Sequence, residues 1–284
     1  MSGRKIVVVT DSSAYIPEEA LGDLHIPVIP LWVIWGDERF RDGVDIDPPT
    51  FYRRLRDDPV SPTTSQPSAG EFADFFRQVG RGVDGVVGIF VTSKLSGTVS
   101  CARTAQVQLP DLKIRVVDSL STSMGLGFMV LAAARAAASG KSLDEVVAVA
   151  EEMRDRVHVL FTVDTLEYLH RGGRIGGAKW LVGTALNIKP LLHLTDGTIE
   201  PLAQVRTKRR AVAQMLDVAE ERLGGKPMAQ AAVIDANRPG EGDAVAEQVR
   251  ERFGISPVYR TPLSPAIGTH AGPGTVGVAF YAER

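Results

Sequence analysis

Apolar positions along this chain fall into short runs separated by stretches of helical spacing. Residues 5–10 contain the β-branched run Ile6-Val7-Val8-Val9 and predict a strand, followed by a short helix over 17–21. Residues 28–34 read as a second strand ending at the Gly36-Asp37 turn. An acidic loop at 42–47 leads into a helix from Pro48 or Pro49 to about Asp57, with proline in its first turn. After a loop at 58–66, the pattern predicts a helix at 69–79, a buried strand at 85–91, a helix at 97–109 and a strand at 114–118. Continuous apolar strands alternating with helices predict an N-terminal α/β unit, a mostly parallel sheet flanked by helices. Two more helices, 123–139 and 143–156, carry the chain to a change of pattern near Val157. Beyond it, strands are expected at 157–164, 188–195, 198–205, 229–235, 257–262 and 275–281, with fewer helices. Asp196-Gly197 between two of them is a tight-hairpin signature, so that pair is antiparallel and the second half is α+β. The expected division is 1–156 and 157–284.

Composition narrows this picture. A length of 284 residues fits two domains sharing a cleft. Apolar residues make up 44% and charged residues 23%, enough for a core and unlike a disordered chain. The balance of 32 basic against 34 acidic residues gives no field that would gather nucleic acid or an anionic membrane. Cys101 is the only cysteine, which excludes an intrachain disulfide and every multi-cysteine zinc pattern. The start Met-Ser-Gly-Arg-Lys runs into an apolar stretch too short for a signal peptide or membrane span, so the cytoplasm is the expected location. The alanine-rich stretch 125–139 is shorter than the roughly 20 residues a span needs and reads as a buried helix.

Candidate chemistry concentrates in hydroxyl-rich segments that follow strands. These are Thr10-Asp11-Ser12-Ser13, the run 92–98 ending in Ser96-Gly97-Thr98, and 118–125, which begins Asp118-Ser119. In an open parallel sheet, ligands collect outside the carboxyl ends of strands, where such loops converge. Thr63-Thr64-Ser65-Gln66-Pro67-Ser68 adds a fourth group before a helix. Serine, threonine and aspartate are also preferred helix N-caps, and taken singly Ser12, Ser68 and Ser123 read as caps. At Ser96-Gly97-Thr98 a glycine at a helix start lets an anion approach free backbone N–H groups, so binding and capping both stand. The stretch 166–177 holds Arg171-Gly172-Gly173-Arg174 and reads either as an anion-binding loop or as a tight turn with solvated arginines. His270, in Gly268-Thr269-His270-Ala271-Gly272, has small neighbours that leave its ring room to face a ligand.

Several motifs fail. The glycine that would open a P-loop ending in Gly140-Lys141-Ser142 is replaced by Arg135, and a dinucleotide fingerprint from Gly125-Leu126-Gly127 meets Val130 at its third glycine position. No serine sits in a G-x-S-x-G elbow and no histidine pair forms a metal-binding spacing, so neither a cofactor nor a metal is expected.

In order, Thr10-Asp11-Ser12-Ser13, Thr64-Ser65-Gln66-Pro67-Ser68, Ser93-Lys94-Leu95-Ser96-Gly97-Thr98, Asp118-Ser119, the stretch 168–176, Lys189-Pro190, Arg206-Thr207 and Gly268-Thr269-His270 resemble the bacterial DegV family over nearly the whole chain. The resemblance implies a C-terminal domain with a mostly antiparallel sheet and one fatty acid bound where the two domains meet. It further implies a carrier rather than an enzyme. Family members of known role are the fatty-acid-binding subunit of bacterial fatty acid kinase, presenting the carboxylate to a separate ATP-dependent kinase subunit and carrying the acyl phosphate toward phospholipid synthesis. By motif match Thr64 and Ser96 would bond the carboxylate and Arg171 and His270 would complete the network, with Ser65, Gly97 and Thr98 close by. Phe161, Leu166, Ile188, Leu191, Ile267 and Phe280 are candidates for the wall of an acyl tunnel, and each also reads as ordinary core. Two other readings stay open: a serine-dependent acyl hydrolase or phosphotransferase using Ser96 and His270, and a regulator that binds a sugar or amino acid in a short polar cavity.

Overall fold

The alternation of strands and helices resolves into three sheets. The computed structural model describes residues 5–182 and 188–284. Of the N-terminal start read above as too short for a signal peptide, residues 1–4 lie outside the described residues. The first half runs β1 (Ile6–Asp11), α1 (Glu18–Leu21), β2 (Val28–Ile29), β3 (Trp32–Trp35), β4 (Glu38–Arg41), α2 (Pro48–Asp57) and β5 (Thr63–Ser65). It continues through α3 (Ala69–Val79), β6 (Gly85–Phe90), α4 (Thr98–Val107), β7 (Ile114–Asp118), α5 (Ser123–Ala138) and α6 (Leu143–Arg154). The second half runs β8 (His158–Thr162), α7 (Glu167–Arg171), a 3-10 helix (Gly176–Leu181), β9 (Lys189–Thr195), β10 (Thr198–Val205) and α8 (Lys208–Leu223). It ends with β11 (Met228–Asp235), α9 (Pro239–Phe253), β12 (Val258–Pro262), α10 (Pro265–Ala271) and β13 (Val276–Ala282).

The parallel sheet has the order β2-β1-β6-β7. All six residues of β6 are buried, as a strand covered on both faces requires. The chain steps outward from β1 to β2 on one side and from β6 to β7 on the other, so the direction reverses between β1 and β6, the crevice where ligands gather in open α/β folds. One strand expectation is corrected. Residues 28–34 are not continuous: Pro30 cannot donate to a ladder, β2 stops before it, and β3 turns away to pair antiparallel with β4 and β5. Residues 58–66, expected as a loop, supply β5, with Thr64 opposite Val33.

The second half forms a six-stranded sheet in the order β10-β9-β8-β13-β11-β12, antiparallel except for β11 with β12. At the β9–β10 turn Asp196 and Gly197 take φ of 47° and 80°, the two left-handed positions of the expected hairpin. The segment around His270, for which no element was expected, is the helix α10. Pro265 occupies its first turn and Ser264 caps it by accepting the Ile267 N–H.

Helix α5 joins the halves. Thirteen of its sixteen residues are buried, and its solvent face is reduced to Ala132, Arg135 and Ala138 on one stripe near the C-terminal end. It packs on β1 and β6 and, on its other side, on β8, β11 and β13, where the Phe128 ring meets Tyr281 edge-on at 5.3 Å. One hydrophobic cluster consequently runs from Val8 and Leu126 through to Ile234 and Ala279. Among the described residues no helix is long and apolar enough to cross a membrane.

Candidate functional site

A cavity with about 950 Å³ of space unfilled by atoms, open solvent at its edge included, is lined by residues from both halves. The N-terminal half contributes Leu31, Thr64, Ser65, Gln66, Val91, Leu95, Ser96, Thr122 and Ser123. The C-terminal half contributes Val159 and Phe161 of β8, Leu169, Arg174, Leu194, Ile199, Ile234 of β11, Leu263, four residues of α10, Thr275 and Gly277.

Its polar groups are fixed by the backbone elements that carry them. The register of β5 on β3 sets Thr64, whose Oγ1 lies 2.7 Å from Nε2 of His270 on α10. Burial, aided by the positive charge of Arg174, holds the His270 ring down to about 4, so at neutral pH it is an uncharged donor and acceptor. Its Nδ1 is buried and has no hydrogen-bond partner among the described residues. The ring fits because residue 172 is glycine: a Cβ there would stand 2.1 Å from Nδ1. On the facing loop, Ser96 Oγ is 2.8 Å from Thr98 Oγ1 and accepts the Thr98 N–H at 3.3 Å. Gly97 makes no side-chain cap for α4; a Cβ on it would lie 3.1 Å from the Gln66 amide, so the glycine admits Gln66 to the site.

Arg174 ties these loops together. Its Nε donates to the Leu95 carbonyl at 3.0 Å and its Nη1 to the Gly172 carbonyl at 2.6 Å. The arginine expected in the network, Arg171, is not on the cavity. Its guanidinium lies 4.9 Å from the Tyr168 ring centre and pairs with Glu167, because as the last residue of α7 it points along the exposed side of that helix. Thr64, Ser65, Ser96 and His270 therefore line the cavity, Gly97 and Thr98 support it from behind, and Arg174 stands where Arg171 was expected. Ser68 caps α3 as read, but Ser123 makes no cap and lines the cavity instead.

Of the six wall candidates, Phe161 and Ile267 face the cavity. Leu191 and Phe280 do not. Successive strand residues point to opposite faces, and these two join Leu160 in the core beneath α8 and α9, whereas Val159, Phe161 and Gly277 face the ligand side. Leu166 packs against the separate cluster around Leu169 and Ile175, and Ile188 is half-buried away from the lining. Arg174 was read with Arg171 as a possible anion ligand, whereas Gln66, Leu95, Thr122 and Thr275 were not named individually as site residues, although all of these but Thr275 lie in segments marked by their hydroxyl content.

Behind Leu31 lies a buried acid. Ser12 Oγ accepts the Leu31 N–H and donates to Asp42 Oδ2 at 2.8 Å. Burial pushes the Asp42 carboxyl up to about 7, opposed by the hydroxyls of Ser12 and Ser264 and the Ala266 N–H and reinforced by Asp11. A carboxyl raised on folding stabilises the protein most below its unfolded value near 3.8 and loses that contribution as pH rises through about 7. Asp42→Asn is therefore expected to remove a decline on the order of 4 kcal/mol between these limits. Urea denaturation at pH 4, 5, 6 and 7 checks this, and parallel wild-type and variant profiles would refute it.

Among the described residues no group of three or more His, Cys, Asp or Glu is placed to hold a metal ion. Lys208, at the start of α8, bonds Asp164 and the Gly274 carbonyl and pairs with Glu241.

The model of a family described as "Uncharacterised protein, DegV family" matches residues 5–283. A DegV domain-containing protein of Streptomyces coelicolor is 40% identical over 278 residues, 97% of this chain and 98% of that one. A DegV family protein from Thermus thermophilus, whose structure is described as showing fatty acid binding, superimposes with a TM-score of 0.91 at 34% identity, covering 98% of this chain and 100% of the other. DegV of Bacillus subtilis, described as a fatty acid binding protein, gives 0.90 at 34% identity, covering 99% and 100%. A family match over residues 5–283, with a relative 40% identical over nearly the whole of both chains, places this chain in the DegV family.

Proposed function

We propose that this protein binds one long-chain fatty acid in the cavity, with the carboxylate at Thr64, Ser96 and His270 and the acyl chain along the apolar wall. The observation that carries this reading is the cavity's division of labour: a mostly aliphatic lining with hydroxyls and a neutral imidazole gathered beside one arginine. Each buried CH₂ contributes about 0.8 kcal/mol, so the wall supplies most of the affinity and the polar groups mainly set orientation. Fatty acid binding by the Thermus and Bacillus relatives supports the same ligand here.

The protein acts as a carrier without a cofactor of its own, presenting the carboxylate to a separate ATP-dependent kinase and taking the acyl phosphate on toward phospholipid synthesis. Arg174 spends two of its nitrogens on backbone carbonyls, which leaves a carboxylate held chiefly by neutral donors and thus still nucleophilic toward a phosphoryl group. A hydrolase would need the His270 ring on Ser96, whereas Nε2 engages Thr64 and Ser96 engages Thr98. Denaturing the purified protein and analysing the released lipid is expected to yield one fatty acid per chain; protein that is consistently empty would overturn the reading.

A further inference from the structure

Two hydroxyls on the cavity wall are left unused by the head-group arrangement. Thr122 and Ser123 stand where β7 hands over to α5, are 8% and 4% exposed, and line the cavity. Among the described residues, Thr122 Oγ1 and Ser123 Oγ are both buried without a hydrogen-bond partner, which protein interiors rarely tolerate. Each has forgone a local use. Thr122 occupies the N-cap position of α5 but caps nothing, although threonine there ordinarily accepts a first-turn N–H. Ser123 takes φ of 50°, a left-handed conformation that costs a non-glycine residue energy. In the same run Ser119 spends its hydroxyl on the Ser121 carbonyl.

The surroundings define what the pair would hold. Their neighbours on the wall are apolar: Val91, whose strand end is tied to this loop by the Thr92 N–H bond to the Ser121 carbonyl, and Val159, which closes against Gly125. Among the described residues Arg174 is the only Lys or Arg on the cavity lining, and it is committed at Leu95 and Gly172. A second carboxylate would therefore find no countercharge here. A neutral oxygen fits, because two hydroxyls can donate to a carbonyl or can give and take with an alcohol.

We propose that Thr122 and Ser123 form a second polar subsite that recognises an oxygen carried partway along the acyl chain, as in a hydroxy or oxo fatty acid. This rests on the fatty-acid reading above and adds a substrate class to it. The site would act as a ruler, measuring the distance from the carboxylate to the oxygen.

The test titrates delipidated protein with stearic acid and with monohydroxystearic acids whose hydroxyl is moved stepwise along the chain. One position, or two adjacent ones, is expected to bind at least as tightly as stearic acid. The remaining isomers should bind about tenfold or more weakly, because a hydroxyl buried against an apolar wall goes unpaired. Thr122→Val with Ser123→Ala should bring the favoured isomer down to the level of the others relative to stearic acid. If the double variant does not fold, Thr122→Val alone keeps the side-chain shape and gives the same comparison. A flat positional profile, as when a fixed water satisfies both hydroxyls, overturns the subsite, and so does a preference that survives the substitutions. Failure of stearic acid itself to bind overturns the fatty-acid reading, so the two failures are distinct.

Discussion

Thr64→Ala is expected to leave the purified protein loaded with lipid while cutting kinase-dependent phosphorylation of the bound acid about 100-fold or more. Retention follows from the aliphatic wall, which the substitution does not touch. The rate loss follows from geometry. Removing Oγ1 frees His270 Nε2 and deletes a donor proposed for the carboxylate, and misplacing a reacting group by about 1 Å is enough for losses of that size. Ser96→Ala should behave the same way through the facing loop, since Ser96 Oγ is fixed by Thr98 and sits on the lining. Extracted lipid quantified beside acyl phosphate formed with kinase and ATP separates the two effects, and full turnover in both variants would refute the head-group assignment.

Gly172→Ala should produce an equally large loss of turnover without removing a polar side chain of the site. The residue has φ of −73° and ψ of −9°, ordinary helical values, so alanine is tolerated by the backbone. Its Cβ would fall 2.1 Å from His270 Nδ1, and the ring, being the free end of a side chain, is what moves. Folding should survive with a melting temperature within a few degrees of wild type, while phosphorylation falls about 100-fold, as it does when Thr64 is lost. Combining Gly172→Ala with Thr64→Ala should add little, because both break one contact. Gly173→Ala is the control. That glycine has φ of 70° with nothing among the described residues within 4 Å of its missing Cβ, so substitution costs about 1 kcal/mol in stability and spares turnover. The reverse ordering of the two variants would refute this account of the glycine pair.

The contrast between neighbouring glycines shows how far the sequence could be read. Strands with strong β-branched runs, β1, β6 and β7, and helices with caps such as Ser68 and Ser142 declare themselves locally, and their expected positions match the structure. The small sheet was hidden because β5 has only three residues and owes its existence to partners 29 to 33 positions upstream, a pairing that no local pattern encodes. Thr64 and Ser96 were legible as hydroxyls at element ends. Arg174 was not separable from Arg171, since which arginine turns inward depends on the turn made by Gly172 and Gly173 and on the Leu95 carbonyl waiting across the cleft. Leu191 and Phe280 failed as wall residues for a simpler reason: hydrophobicity reports burial but not which face of a strand is buried.

Helix α5, sealed between the two sheets, gives the cavity a thermodynamic consequence. A ligand there touches strands on both sides of one continuous core, so its binding free energy is added to the whole chain rather than to one half. At a free ligand concentration a thousandfold above its Kd that addition is about 4 kcal/mol, comparable with the entire margin by which many domains stay folded. Loaded and empty carriers would then differ in lifetime as well as in content, and the abundance of the protein would itself register the supply of its cargo.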